Sequence, residues 1–220
     1  MSGLSLMCRK GCFNMELTEQ EIREIAKNSK WGFLREDEED AKKAGIDADT
    51  GLFRTSLYEY LKVIFPTTND WIHDGIIPNS GRRLKPDYRS DSLKLIVEFD
   101  GYPHYKRPDI IKKDVENTEF YKKLDYKVVR IPYFIQLSKS AVKVLFDVDV
   151  NFELFDERIP SLGIKGENTP AYLCGAGVKR MTEEFRKFPN QYKVNVDFLE
   201  SQNDDYLSGV ELLKKLYEED

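Results

Sequence analysis

Three carboxylates lie before, within and directly after a short, mostly apolar run at residues 93–99. Asp87 lies a few residues before the run, Glu98 lies near its end, and Asp100 follows directly after it. An unpaired carboxylate in an apolar setting is costly, and two close carboxylates repel each other. A cation between Asp87 and Glu98 would remove both costs, and Mg²⁺ favours carboxylate, water and phosphate oxygens. The alternative is a set of salt bridges, for which the candidate arginines are Arg82, Arg83 and Arg130.

His104 could add proton transfer to such a site. It follows Gly101, which permits close backbone approach, and Pro103, which stiffens the turn. An imidazole titrates near neutral pH, so it could accept a proton from a water activated by a metal. Farther along, Asp114 shares one side of a predicted helix with apolar residues. We therefore expect Asp114 to face the sheet rather than solvent.

Apolar periodicity predicts the elements that position these residues. Residues 83–89 and 92–100 are predicted to form two strands joined by a tight turn, which is a hairpin. A predicted helix over 107–124, which we expect Asp109 to cap, precedes a returning strand over 126–134 and a further helix. This order of elements predicts a compact α/β core with a partly parallel sheet.

The chain divides into three predicted regions. These are an N-terminal helical region over 1–53, a core over 54–150 and a mostly helical C-terminal extension over 151–220. A helix beginning at Ser56 carries Glu59 at the spacing of a capping box. The last predicted helix has one face that could serve dimerisation, formed by Tyr206, Val210, Leu213 and Tyr217.

Composition and charge narrow the class of protein. The 220 residues are 40% hydrophobic and 12% aromatic, which argues against disorder. There is no apolar run near the ~20 residues that cross a bilayer, so we expect an intracellular, cytoplasmic protein with no membrane partner. The three cysteines predict neither a disulfide framework nor a structural zinc. Residues 82–143 hold 15 Lys/Arg against 9 Asp/Glu although the net charge is −5, which favours a polyanion as partner.

The run "KPDYRSDSLKLIVEFDG" resembles the signature of the PD-(D/E)XK nuclease superfamily. That signature is a Pro-Asp on one strand and an acid followed two residues later by a basic residue on the next. The stretch over 56–132 is similar to the Vsr-like (very-short-patch repair) branch, which adds a nearby His, an acidic helix and a closing strand. The resemblance implies a restriction-endonuclease-like core, a mixed sheet flanked by helices.

The resemblance also implies roles for individual residues. Asp87 matches the first metal ligand and Glu98 the second acid, with the carbonyl of Phe99 as a further ligand. Asp100 stands where the superfamily has its lysine, so we assign proton transfer to His104 and keep Asp100 as a candidate catalytic residue.

Glu59 matches an acid on the first helix of many members, although its capping-box spacing is an alternative reason for its presence. Three lysines could replace the one missing from position 100, namely Lys94, Lys106 and Lys112.

The implied function is Mg²⁺-dependent hydrolysis of DNA, with Mn²⁺ able to substitute. A sequence-specific type II restriction endonuclease, prokaryotic or phage-encoded and acting on double-stranded DNA as a homodimer, is our preferred form. A mismatch-nicking repair enzyme, a homing endonuclease and a non-catalytic DNA-binding module remain alternatives. Five cationic residues flank the acids and could meet phosphates, namely Arg82, Arg83, Lys85, Lys106 and Arg107.

Overall fold

The computed structural model describes residues 56–151 and 157–219, without the side chains of Ser56 and Glu59. The predicted helical region over 1–53 lies outside the described residues, and so does the candidate side chain of Glu59. No helix in the described ranges combines the length and the apolar character needed to span a membrane.

The described chain forms an α/β fold around one four-stranded sheet, as the sequence predicts. The elements in chain order are α1 (Ser56–Ile64), β1 (Trp71–His73), β2 (Tyr88–Ser90), β3 (Leu95–Asp100), α2 (Pro103–Lys106), α3 (Pro108–Lys123), β4 (Lys127–Pro132), α4 (Lys139–Phe146), α5 (Gly175–Phe185), α6 (Pro189–Ser201), α7 (Asp205–Ser208) and α8 (Val210–Glu218). The sheet order is β1-β2-β3-β4. The pairs β1/β2 and β2/β3 are antiparallel, whereas β3 and β4 are parallel, so the sheet is mixed.

The turn between β2 and β3 is held by side chains that bond to its backbone. Asp70 accepts hydrogen bonds from the Ser92 N–H at 2.7 Å and from the Ser90 hydroxyl at 2.7 Å. Lys94 adopts a left-handed φ of +50° just before β3 begins. These contacts fix the strand register, in which Tyr88 pairs with Val97.

The two faces of β3 lie in different environments because side chains alternate along a strand. Leu95, Val97 and Phe99 join the main hydrophobic core. Ile96 packs on the opposite face in a smaller cluster with Tyr121 of α3. Glu98 and Asp100 share that second face by the same alternation, so α3 covers the side of the sheet that carries both acids.

Helix α3 begins differently from the prediction. Arg107 is the N-cap residue and Pro108 takes the first helical position, while Asp109 lies in the first turn and forms an ion pair with Arg107 at 2.6 Å. Proline is favoured there because its missing N–H would have no partner within the helix. The prediction for Asp114 is confirmed, since this residue is buried.

The C-terminal helices share the main core with the sheet. Buried residues of α5, α6 and α8, among them Phe185, Leu199 and Leu213, belong to the same cluster as β3 and β4. The predicted dimer face is wrong, because Gly209 with φ +61° separates α7 from α8. Tyr206 is left 89% exposed while Val210 is buried inside the chain.

Gly177 lets α5 approach α2 closely. A Cβ at this position would lie 1.6 Å from the carbonyl oxygen of Tyr105, which is backbone and has little room to shift. We expect Gly177→Ala to lower the free energy of unfolding by about 3 kcal/mol, as overpacking does. Gly175→Ala on the same helix meets open space and is expected to change it by less than about 1 kcal/mol. Urea denaturation that gives equal values for both variants would contradict this packing.

Candidate active site

Asp87 and Glu98 are brought together at the end of the hairpin. The Asp87 N–H donates to Glu98 Oε2 at 3.1 Å, and the Phe99 N–H donates to Asp87 Oδ2 at 2.7 Å. Each carboxylate is therefore held by the backbone of the opposite strand segment. Both residues are half-buried. The two acids form an adjoining carboxylate pair, as the sequence predicts for a metal site.

The electrostatic setting of Glu98 is that of an acid that lacks sufficient positive charge. Burial, followed by repulsion from Asp87, raises the pKa of Glu98 to about 7, while Arg130 acts in the opposite direction. Burial and a hydrogen bond with Glu98 also raise the pKa of the Tyr121 hydroxyl. A divalent cation between the two carboxylates would relieve both burial and repulsion, so the donor set fits a hard cation such as Mg²⁺.

Asp100 lies two residues beyond Glu98 and is fully buried. Arg130 donates to it twice, from Nε to Oδ2 at 2.7 Å and from Nη2 to Oδ1 at 2.5 Å. Arg180 donates from Nη2 to the same Oδ2. Both oxygens of Asp100 are thus engaged by guanidinium groups. The structure places this candidate catalytic residue in a buried ion network, and a direct role in chemistry stays a prediction.

His104 is oriented by Asp114. Its Nδ1 lies 2.8 Å from Asp114 Oδ2 and 3.4 Å from Asp100 Oδ1, and its side chain is 27% exposed. Burial acts to raise the pKa of Asp114, but the hydrogen bond from His104 and the charge of Arg130 outweigh it and hold that pKa below its ordinary value. An ionised Asp114 that accepts from Nδ1 leaves Nε2 of His104 as the atom able to accept a proton.

A second group could also hold a metal. Candidate ligand atoms of Asp100, His104 and Asp114 all lie within 4.8 Å of one another. However, Arg130 and Arg180 also contact Asp114, at 3.0 and 2.8 Å. Two guanidinium charges therefore already balance the two carboxylates, and a cation would have to displace an arginine. This group is therefore poorly suited to a metal while both arginines are in place.

The predicted DNA-binding residues lie on the surface of the protein. Arg82 stacks over the Phe120 ring at 4.3 Å. Arg107 is engaged by Asp109 and is largely exposed. Exposed cations of this kind are suited to phosphate contacts. The full set is exposed and comprises Arg82, Arg83, Lys85, Lys106 and Arg107.

None of the three lysines proposed as replacements is seen in contact with the carboxylate pair. Lys94 lies over the ring of Tyr126 at 5.0 Å, and Lys106 lies over the ring of Tyr102 at 5.3 Å. Lys112 is exposed and lies 4.0 Å from Glu116 one turn along α3. The positive charge nearest in the strand register is instead Arg130, which lies opposite Glu98 on β4.

Sequence reasoning missed two residues of this site. Arg180 binds Asp100 from 80 positions away in the chain, and its local helical pattern carries no sign of that partner. Tyr121 packs with Ile96 of β3, and its hydrogen bond with Glu98 was not foreseen.

Comparisons of the chain with protein-family models, with curated proteins and with solved structures find no match. The resemblance over residues 56–132 therefore depends on the residues named above. Function is accordingly argued from the geometry and charge of the site, which is where function resides on any fold.

Proposed function

We propose that this chain is a Mg²⁺-dependent endonuclease that hydrolyses phosphodiester bonds of DNA. The observation that carries the proposal is the adjoining pair of Asp87 and Glu98, each held by the backbone of the opposite strand segment. Such a pair, half-buried and with the pKa of Glu98 raised by burial and by Asp87, suits a divalent cation better than it suits an apolar core. The Phe99 carbonyl is proposed as a third ligand.

The residues of the site divide the chemistry between them. When bound, Mg²⁺ would supply Lewis acidity and a stabilising charge for the phosphate. Asp87 and Glu98 hold that charge at the open end of the hairpin. His104 accepts the proton of the attacking water at Nε2, while Asp114 keeps its Nδ1 engaged at 2.8 Å.

The substrate is proposed to be double-stranded DNA, met by the exposed cations around the site. A type II restriction endonuclease is the preferred form of the enzyme, with homodimerisation as the way to cut both strands. Because DNA contacts of this kind are electrostatic, affinity for DNA is expected to fall steeply with salt.

Cleavage of supercoiled plasmid from many DNA sources with Mg²⁺ tests the proposal. Asp87→Asn and Glu98→Gln are each expected to slow cleavage about a thousandfold, because a lost metal ligand removes several kcal/mol of transition-state stabilisation. Binding of DNA without metal, measured by fluorescence anisotropy, is expected to persist in both variants. Asp109→Asn is the control, since Asp109 is an exposed acid that pairs with Arg107. A wild-type protein that leaves all these substrates intact would refute the proposal.

A non-catalytic DNA-binding module is the second candidate function. The observation that favours it is Asp100, which replaces the superfamily lysine and whose oxygens both bind arginines. In that case the wild type and both variants would bind DNA alike, and none would cut it. If cleavage occurs, a mismatched and a matched duplex are compared as substrates. Nicking of the mismatched duplex indicates a repair enzyme, and double-strand cutting of the matched duplex indicates a restriction enzyme.

A further inference from the structure

The position of the superfamily lysine is tied to an arginine of the neighbouring strand. Arg130 of β4 lies directly opposite Glu98 of β3 in the parallel register. Its guanidinium extends to position 100, where the Asp100 carboxylate receives two of its hydrogen bonds. The charge of Arg130 therefore lies beside the position from which a lysine of residue 100 would extend.

Most N–H groups of the Arg130 guanidinium have a hydrogen-bonding or ion-pair partner. Of the five N–H groups of an arginine, two donate to Asp100, one points to Asp114 at 3.0 Å and one donates from Nη1 to the Thr118 hydroxyl at 3.3 Å. The second N–H of Nη1 has no partner among the described residues. The side chain is 14% exposed, so this group is rigid without being sealed from the site.

Arg130 also lies on the face of the sheet that carries Glu98. The two residues are directly opposite each other in the parallel pair of β3 and β4, and opposite residues of paired strands project to the same face. Arg180 shares both acidic partners of Arg130 but comes from α5 rather than from the strand beside Glu98. The two arginines thus contact the same acids, but of the two only Arg130 lies on a strand that pairs with β3.

We propose that Arg130 supplies, from β4, the positive charge that the nuclease superfamily takes from a lysine two residues after the second acid, and that Asp100 holds it there. This inference rests on the proposed function. If that function holds, Asp100 is a positioning residue. The flexible ammonium of the superfamily lysine is then replaced by the Arg130 guanidinium, which Asp100 holds in place with two hydrogen bonds. Within the described part of the chain, the second N–H of Nη1 is the donor that Arg130 has left for a phosphate oxygen.

Two readouts test the role of Arg130. The first is the affinity for Mn²⁺ alone, followed by electron paramagnetic resonance. Because a fixed cation beside Glu98 repels the metal, Arg130→Met is expected to tighten Mn²⁺ binding at least threefold. The gain is expected to disappear when Arg130→Met is combined with Glu98→Gln, whereas a gain that persists would place the ion at Asp100, His104 and Asp114 and overturn this role of Arg130. The second is cleavage, in which Arg130→Met is expected to lower kcat about a hundredfold while the KM for DNA changes less than threefold.

Arg89→Met is the matched control. Arg89 is a buried arginine of β2 that pairs at 2.9 Å with the exposed carboxylate of Asp91, so its loss also removes a buried guanidinium from the same sheet. We expect it to lower stability but to change Mn²⁺ affinity and kcat by less than threefold. If Arg130→Met does not fold, Arg130→Lys is compared with Arg89→Lys, and a kcat at least tenfold lower for Arg130→Lys is expected.

The outcomes separate this inference from the proposed function. A wild-type protein that neither binds Mn²⁺ nor cleaves DNA removes both. A wild type that cleaves, together with equal Mn²⁺ affinity and equal kcat for the Arg130 and Arg89 variants, overturns the role of Arg130 alone.

Discussion

Replacing Glu98 with Gln is expected to raise the free energy of unfolding at pH 8 by up to roughly 3.5 kcal/mol when no divalent metal is present, since each unit of pKa corresponds to about 1.4 kcal/mol. The pKa of Glu98 is raised from 4.5 to about 7 by burial and by Asp87. The folded state therefore binds this proton more tightly than the unfolded state does. Stability falls as the pH rises from about 4.5 to about 7 and is constant above that range. Gln carries no charge, so Glu98→Gln escapes this loss.

Urea denaturation in EDTA at pH 4 and pH 8 measures the effect. The two proteins are expected to differ little at pH 4, where Glu98 is protonated, and most at pH 8. Glu116→Gln, on the exposed side of α3, is the control and is expected to show no such pH dependence. Added Mg²⁺ is expected to stabilise the wild type but not the variant, as a ligand bound to the folded state does. A variant less stable than the wild type at pH 8 in EDTA would show that Glu98 is a structural acid.

Asp100→Asn is expected to have the opposite effect and to lower the free energy of unfolding by about 3–5 kcal/mol. Asp100 is fully buried and receives hydrogen bonds from both Arg130 and Arg180. Removing its charge leaves two partly buried guanidinium groups with only Asp114 to balance them. Breaking a buried ion pair on one side costs more than the pair itself contributes, because the remaining charge stays desolvated.

Thermal and urea denaturation of Asp100→Asn measure this cost. Asp109→Asn removes an exposed carboxylate that pairs with Arg107 and is expected to change stability by less than about 1 kcal/mol. If Asp100→Asn and Asp109→Asn were equally stable, the buried network would not be the structural element described here. The account instead predicts that Glu98→Gln raises the free energy of unfolding and that Asp100→Asn lowers it. Such a result would distinguish a functional acid at position 98 from a structural acid at position 100.

The sequence was sufficient for the hairpin, α3 and β4, although β2 spans Tyr88–Ser90 rather than the predicted 83–89 and Asp87 lies just before it. Alternating and continuous apolar runs predict the hairpin, α3 and β4, and these local patterns place Asp87 beside Glu98 and Asp114 against the sheet. The alternation of side chains along a strand explains most of this placement, because it decides which face of the sheet each acid occupies.

The sequence was insufficient where a partner is distant in the chain. Asp100 is bound by arginines 30 and 80 positions away, and no local pattern tells an acid in such a network from an acid that awaits a metal. Helix ends were missed for a local reason. Asp109 and Pro108 both favour a helix start, and the missing N–H of Pro108 decided the boundary. The break at Gly209 was missed because the apolar spacing continues across it.

Crystals soaked in MnCl₂ and measured at the manganese absorption edge test the central claim most directly. We predict one anomalous peak about 2 Å from carboxylate oxygens of both Asp87 and Glu98, the distance of a small divalent cation to oxygen. A peak at the group of Asp100, His104 and Asp114 instead, or no peak at a saturating concentration of Mn²⁺, would contradict the account.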